Sequence, residues 1–348
     1  MSTPTPTPDR TVTIAFDVMG SDYGPAEVVA GAAQLSIEAP WIHALLVGDA
    51  DQINDALAET RHNGERISVH HAAQFVAMTD KPAEALHRMP DASILTAARL
   101  VAQGEADGLV SAGNTGAGIL AAARNFKLLP GIRRAALAAV YPTRATHGPK
   151  QDPFALILDV GATVEATADD LVAFAVMGAA YAKIISRNPE PQVALLSNGT
   201  EPQKGPPRVV EAHSRLRMMK GIKFIGNVEG VDIPKGTADV IVCDGFVGNV
   251  CLKMLEGVAE TVVELAQYAY KESLRWRAGL AMLSSGIEKL KSVTDWNQYG
   301  GAPVLGFDHV FIKAHGRSRA RAIANAGKVA AKAVSSDLSR AILQGLPT

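Results

Sequence analysis

The chain has 348 residues, 47% of them hydrophobic but only 5% aromatic, with a formal net charge of −1. That length allows two domains of about 150 residues or one large α/β layer structure, and the aliphatic bias suits helices packed on a buried sheet. A nearly neutral chain gives no global case for nucleic acid, and two cysteines, Cys243 and Cys251, without a CxxC pair or a His at ligand spacing, argue against a structural metal or a disulfide framework.

Residues 1–10 alternate Thr and Pro without an apolar centre, so they read as a disordered lead-in and not as a signal peptide. No apolar run is long enough for a bilayer; the expected location is cytoplasmic, with any membrane contact peripheral, at the inner face. Residues 11–17 are predicted as a strand ending on Asp17, residues 18–25 as a loop, and Pro25 as the opening of a helix over 26–38. Asp17 and Asp22 therefore stand at a strand's carboxyl end, where open α/β sheets bind ligands. Strands over 43–48 and 67–71 flank a helix over 51–60, and the neighbours His70 and His71 face opposite sides of their strand, which suits a structural role. Helices follow over 81–88 and 91–103, split by Pro90.

At Leu109 and Val110 a short apolar run ends in Ser111-Ala112-Gly113-Asn114-Thr115-Gly116-Ala117-Gly118, and helical spacing resumes to Lys127. Such a turn directs unpaired backbone N–H groups beyond the sheet edge, at the positive end of a helix dipole. Asn114 and Thr115 add side-chain donors, although an ordinary tight turn with a helix cap has the same composition. Then come a strand over 135–141, a polar surface loop over 143–153, a strand over 155–159 and a well-buried helix over 168–186. A strand over 193–196 opens into the loop Ser197 to Gly205, which carries Lys204 but lacks Walker spacing; a helix begins at Val209.

A strand over 239–243 leads through Asp244-Gly245-Phe246-Val247-Gly248-Asn249 to a helix from Val250, with apolar residues at 254, 255, 258, 262 and 265. Three strand-to-helix turns rich in Gly and Asn predict one shared ligand edge. The helix is predicted to continue through Trp276 to Leu283, break at 284–286 and return over 287–291, a hairpin spanning 250–292 for dimer or membrane contact. Strands over 304–306 and 309–312 precede Lys313-Ala314-His315-Gly316, and a last helix covers 318–343 from Arg319 and Arg321. The remainder, residues 11–345, is expected to form a single α/β/α domain.

Gly116 to Ala121 matches GxGxxA, yet the next strand lacks the acidic ribose ligand at its end. GxSxG, HExxH and Ser-x-x-Lys are all missing, and both cysteines lie in or beside apolar runs. The remaining chemistry, backbone N–H groups with Asn, Lys, His and Arg, suits phosphate and an oxyanion better than a covalent nucleophile.

The runs Ala15 to Asp22, Ser111 to Gly118, Asn227 to Ile233, Cys243 to Asn249 and Tyr299 to Gly316, in this order, resemble the bacterial phosphate acyltransferase family of phospholipid synthesis. The chain departs from that family's pattern at His87 to Ser93 and at Pro202. The resemblance implies a Rossmann-like α/β/α sandwich, akin to phosphotransacetylases and isopropylmalate dehydrogenases, and a homodimer. It implies transfer of a long acyl chain from acyl carrier protein to inorganic phosphate, without cofactor or metal. An acyl-phosphate:glycerol-3-phosphate acyltransferase would act downstream. On this reading Asn114, Lys204, His315 and Asn249 are the candidate catalytic residues. Asp17, Gly113, Thr115, Gly116, Asp244, Gly245 and Lys313 are the candidate substrate-binding ones. Arg124, Lys127, Arg133, Arg134, Arg319 and Arg321 could attract an acidic carrier. Two alternatives stay open: a phosphotransacetylase using short acyl-CoA, and a membrane-docking scaffold working through 276–283.

Overall fold

A computed structural model describes residues 10–282 and 300–347. The lead-in over 1–9, the expected break at 284–286, the return arm over 287–291 and Tyr299 lie outside the described residues.

The first half alternates strand and helix: β1 (Val12–Asp17), α1 (Pro25–Glu38), β2 (Ile42–Gly48), α2 (Ala50–Ala58), β3 (Ile67–His71), α3 (Pro82–Arg88), α4 (Ser93–Ala102), β4 (Gly108–Ser111) and α5 (Thr115–Asn125). A hairpin of β5 (Ala136–His147) and β6 (Asp152–Leu158) follows, then α6 (Ala168–Tyr181), β7 (Gln192–Leu196), α7 (Pro207–Met218), β8 (Lys223–Val228) and β9 (Val240–Val242). The chain continues with α8 (Gly245–Glu272), α9 (Leu274–Met282), β10 (Ala302–Leu305), β11 (Val310–Lys313), α10 (Ala320–Ser335) and α11 (Leu338–Gly345).

All eleven strands join one sheet in the order β3-β2-β1-β4-β11-β10-β5-β6-β9-β7-β8. Alternate residues of each strand feed opposite faces. Ala15, Leu109, Phe311, Ile157 and Ile241 belong to one apolar layer covered by α4, α5 and the first turns of α8. On the other face Phe16, Val110 and Ile312 pack under α1 and α10, while Leu158, Val193 and Val242 pack under α6 and α11. This is the expected Rossmann-like three-layer sandwich. Strands buried on both faces explain why aliphatic residues dominate.

The strand senses position everything else. β1, β2, β3, β4 and β11 are mutually parallel, as are β6, β7, β8 and β9. Between them the sense reverses three times, at β11/β10, β10/β5 and β5/β6. The carboxyl ends of the two parallel groups therefore emerge on opposite edges of the sheet.

Several elements differ from expectation. The polar stretch 143–153 is mostly strand, because the Arg144 and Ala145 N–H groups pair with the carbonyls of Pro234 and Lys235; only a turn at Gly148 to Gln151 is loop. β8 was not anticipated: its outer residues are exposed on an edge and carry little periodicity. α8 begins at Gly245, not Val250, and ends before Ser273, so the long helix breaks well ahead of residue 284. The buried helix 168–186 loosens into a π-turn after Tyr181, and the terminal helix divides where Asp337 takes a left-handed φ of 48°.

Candidate active site

On the first edge, strand register sets Asp17, Ser111 and Lys313 side by side at the ends of β1, β4 and β11. All three are buried. The Asp17 carboxylate accepts Ser93 Oγ at 2.6 Å and Ser111 Oγ at 2.7 Å, while Ser111 Oγ accepts the Gly113 N–H at 3.1 Å. The Ser111 hydroxyl is thus spent as donor and acceptor and is no free nucleophile. Gly113 lies against this carboxylate: a Cβ there would stand 3.3 Å from Asp17 Oδ2. Burial pushes Asp17 up from 3.8 to about 6, against the two hydroxyls and Lys313. Burial likewise pulls Lys313 down from 10.5 to about 8, against the attraction of Asp17 and Asp22. Its Nζ donates to the Ala314 carbonyl.

Above this row α5 starts. Asn114 is its N-cap, accepting the Ala117 N–H at 3.1 Å, and its Nδ2 donates to the carbonyls of Ala77, Met78 and Asp80 at 3.1–3.3 Å. Its polar atoms are therefore committed to the helix and to the 77–80 loop. The N–H groups of Thr115 and Gly116 have no intrahelical partner, and the first turn holds no acidic residue. Past β11, His315 is exposed, and its Nδ1 accepts the Arg317 N–H at 3.2 Å. The neutral ring then carries its proton on Nε2. Partial desolvation of the ring against the protein and the charge of Lys313 lower the imidazole below its usual 6.5, while Glu256 opposes them. The loop is tied to Asp22, whose N–H donates to the Gly316 carbonyl at 3.0 Å.

The second edge is built around Asp159, fully buried beyond β6. Its carboxylate accepts the N–H groups of Leu137, Gly161, Ala162 and Thr163 at 2.7–3.0 Å. Asp244 caps α8, accepting the Val247 N–H at 2.9 Å and Arg208 Nη2 at 2.7 Å, and the Gly245 N–H donates to Thr163 Oγ1 at 3.2 Å. Asn249 Nδ2 donates to the Val160 carbonyl at 2.9 Å. Lys204 is exposed in its loop, and Asn227 struts that loop from below, donating to the Glu201 carbonyl at 2.9 Å and meeting His213 Nδ1 at 3.0 Å.

The three Gly and Asn turns consequently do not share one edge: the reversals at β10, β5 and β6 leave Gly113, Asn114, Thr115, Gly116, Asp17, Lys313 and His315 on one, and Lys204, Asp244, Gly245 and Asn249 on the other. α8 joins the two. It starts against Asp159 and brings Lys253 and Glu256 close enough to His315 to influence its charge. Sequence reasoning passed over Ser93, Ser111 and Arg208, whose partners become adjacent only through strand pairing. Of the six basic residues, Arg133 pairs with Asp169 at 2.8 Å, Arg134 with Asp170 at 3.6 Å and Arg319 with Glu27 at 2.7 Å.

This fold is shared with a phosphotransacetylase from Streptococcus pyogenes, at a TM-score of 0.62 and 17% identity over 94% of this chain and 95% of that one. The EutD phosphotransacetylase from Staphylococcus aureus gives a TM-score of 0.60 at 16% identity, covering 93% and 94%. The class is therefore an α/β/α sandwich of the phosphotransacetylase type. Residues 12–341 match the family model described as "Fatty acid synthesis protein". A phosphate acyltransferase from Dictyoglomus turgidum is 42% identical over 334 residues, 96% of this chain and 97% of its own length. One from Moorella thermoacetica is 42% identical over 329 residues, 94% of each. The chain belongs to the fatty acid synthesis protein family and is an acyltransferase.

Proposed function

We propose that the chain transfers a long-chain acyl group from acyl carrier protein to inorganic phosphate, releasing acyl phosphate and the carrier's free thiol. The observation that carries this reading is the first edge: a buried lysine stands one strand from the α5 turn, whose Thr115 and Gly116 N–H groups have no intrahelical partner, and the two serines beside Asp17, Ser93 and Ser111, both spend their hydroxyls on its carboxylate. An anion can be held there without competition from either serine hydroxyl.

A phosphate oxygen attacks the thioester carbonyl carbon, the carbonyl electrons move to an oxyanion, and their return breaks the C–S bond. Hydrogen phosphate dianion brings its own proton, which ends on the departing thiolate, whose reference pKa is about 8.5. Strong general-base help is therefore dispensable, and the protein's tasks are positioning and oxyanion stabilisation. The Thr115 and Gly116 N–H groups with Lys313 would hold phosphate. The Nε2–H of His315 would face the oxyanion or the sulfur. Lys204, Asn249, Asp244 and Gly245 would serve the carrier's side, reached along α8.

The acyl phosphate is a reactive mixed anhydride, which fits its consumption by an acyl-phosphate:glycerol-3-phosphate acyltransferase. The outer part of α8 leaves Val258, Val262, Leu265 and Tyr268 exposed, which supports a homodimer contact there or a peripheral one at the inner membrane face. No described helix is long and apolar enough to cross a membrane. Purified protein with long-chain acyl carrier protein and phosphate should yield acyl phosphate by mass, with thiol release that depends on phosphate. Thiol release without phosphate, or turnover confined to short acyl-CoA, would sink this reading.

A further inference from the structure

We propose that Asp17, clamped by Ser93 and Ser111, is a positioning residue that keeps Lys313 an ammonium ion beneath the α5 turn. The proposal rests on reading that turn as an anion site, and adds what makes the site cationic. Lys313 sits nearly out of water at the end of β11, 5% exposed, and its Nζ donates to a neutral carbonyl, that of Ala314. An ammonium so placed is expensive without a negative charge nearby. Asp17 supplies that charge two strands away, in the same register row.

The geometry also says which form Asp17 takes. Because Ser111 Oγ accepts the Gly113 N–H, its own hydrogen goes to Asp17 Oδ2, and Ser93 Oγ donates to Oδ1 at 2.6 Å. A carboxylate receiving hydroxyl donors on both oxygens is held in its ionised form. Gly113 is part of the same device, since a side chain there would crowd the Asp17 carboxylate and its N–H fixes Ser111. The other charged groups facing Lys313 are Asp22, which reinforces the ammonium, and His315, which is neutral above its lowered pKa. Lys253, Glu256 and Arg317 face His315 and not the Asp17 row.

Binding of inorganic phosphate, followed by 31P NMR from pH 6.5 to 9.5, tests this without relying on acyl transfer. Wild type should lose phosphate as pH rises through about 8, where Lys313 titrates. Asp17→Asn should move that loss at least one pH unit lower, so that affinity at pH 8 falls about fivefold or more. Ser111→Ala, a milder change that covers poor folding of the first variant, should move it in the same direction. Lys313→Arg, which cannot deprotonate in this range, should remove the alkaline loss altogether and should suppress the shift caused by Asp17→Asn. If Asp17→Asn weakens phosphate equally at every pH, or Lys313→Arg leaves the alkaline loss in place, the proposal is overturned. Phosphate binding that behaves as expected beside absent acyl transfer would reject the proposed reaction and leave this assignment standing.

Discussion

Asn114 illustrates how a residue's chemistry can be read correctly and its employment still be decided by its neighbours. Its side-chain N–H group is expected from the sequence to serve an anion; it clamps the 77–80 loop instead, while the side-chain oxygen caps α5. Asn114→Ala should therefore cost about 1–2 kcal/mol of stability, as loss of an N-cap does, read as a lower urea midpoint. Any loss of turnover should come with a looser 77–80 loop. Asp17 and Lys313 make a second case. The raised Asp17 pKa means that its favourable contribution is complete below its ordinary 3.8 and lost as pH rises through about 6. The depressed Lys313 pKa means that its contribution is complete above 10.5 and lost as pH falls through about 8. From pH 6 to 8 both groups are charged and both cost stability, so this pair is kept for something other than folding. At pH 7, melting curves should rank Asp17→Asn with Lys313→Met at or above wild type, with each single variant below it, because a single change strands the remaining buried group.

The elements were legible wherever burial is continuous. β1, β2, β4, β9 and their following helices declare themselves because parallel strands covered on both faces carry unbroken aliphatic runs. The extended β5–β6 hairpin and the edge strand β8 did not, since exposed strand residues are polar and their pairing partners, Pro234 and Lys235 among them, are remote in sequence. The site followed the same rule. Each turn could be found alone, while Ser93 and Ser111 mattered only once β1 and β4 were paired. α8 shows how closely such a turn is fitted. A Cβ on Gly248 would stand 1.9 Å from the Asp159 carbonyl oxygen, which is backbone and cannot swing aside. Gly248→Ala should push the start of α8 off the Asp159 loop and lower the melting temperature by several degrees, since about 1 kcal/mol moves a chain of about 350 residues by roughly 1–2 °C and the clash with backbone costs several times that. Faster hydrogen exchange should appear at the Gly161 to Thr163 amides.

At the scale of the whole molecule, the expectation of one shared edge failed because turn composition carries no information about strand sense, and three antiparallel pairings intervene. Half of the expected basic surface is already paired, to Asp169, Asp170 and Glu27, and Arg124 donates to the Leu86 carbonyl at 3.2 Å. The central place of β11 also bears on the order in which the protein can be made. β4 borders β1 on one side and β11 on the other, and β11 lies some two hundred residues downstream. While the chain emerges from the ribosome, β1 to β4 can pair, yet β4 must wait with an open edge, and the row that ends in Lys313 is incomplete, until the last described strand is synthesised. Closing that gap is a late step between distant parts of the chain, the kind that slows folding and exposes strand edges to other chains. The nascent protein thus meets its greatest risk of aggregation in the interval between translating β4 and translating β11, and the row of Asp17, Ser111 and Lys313 is among the last features to form.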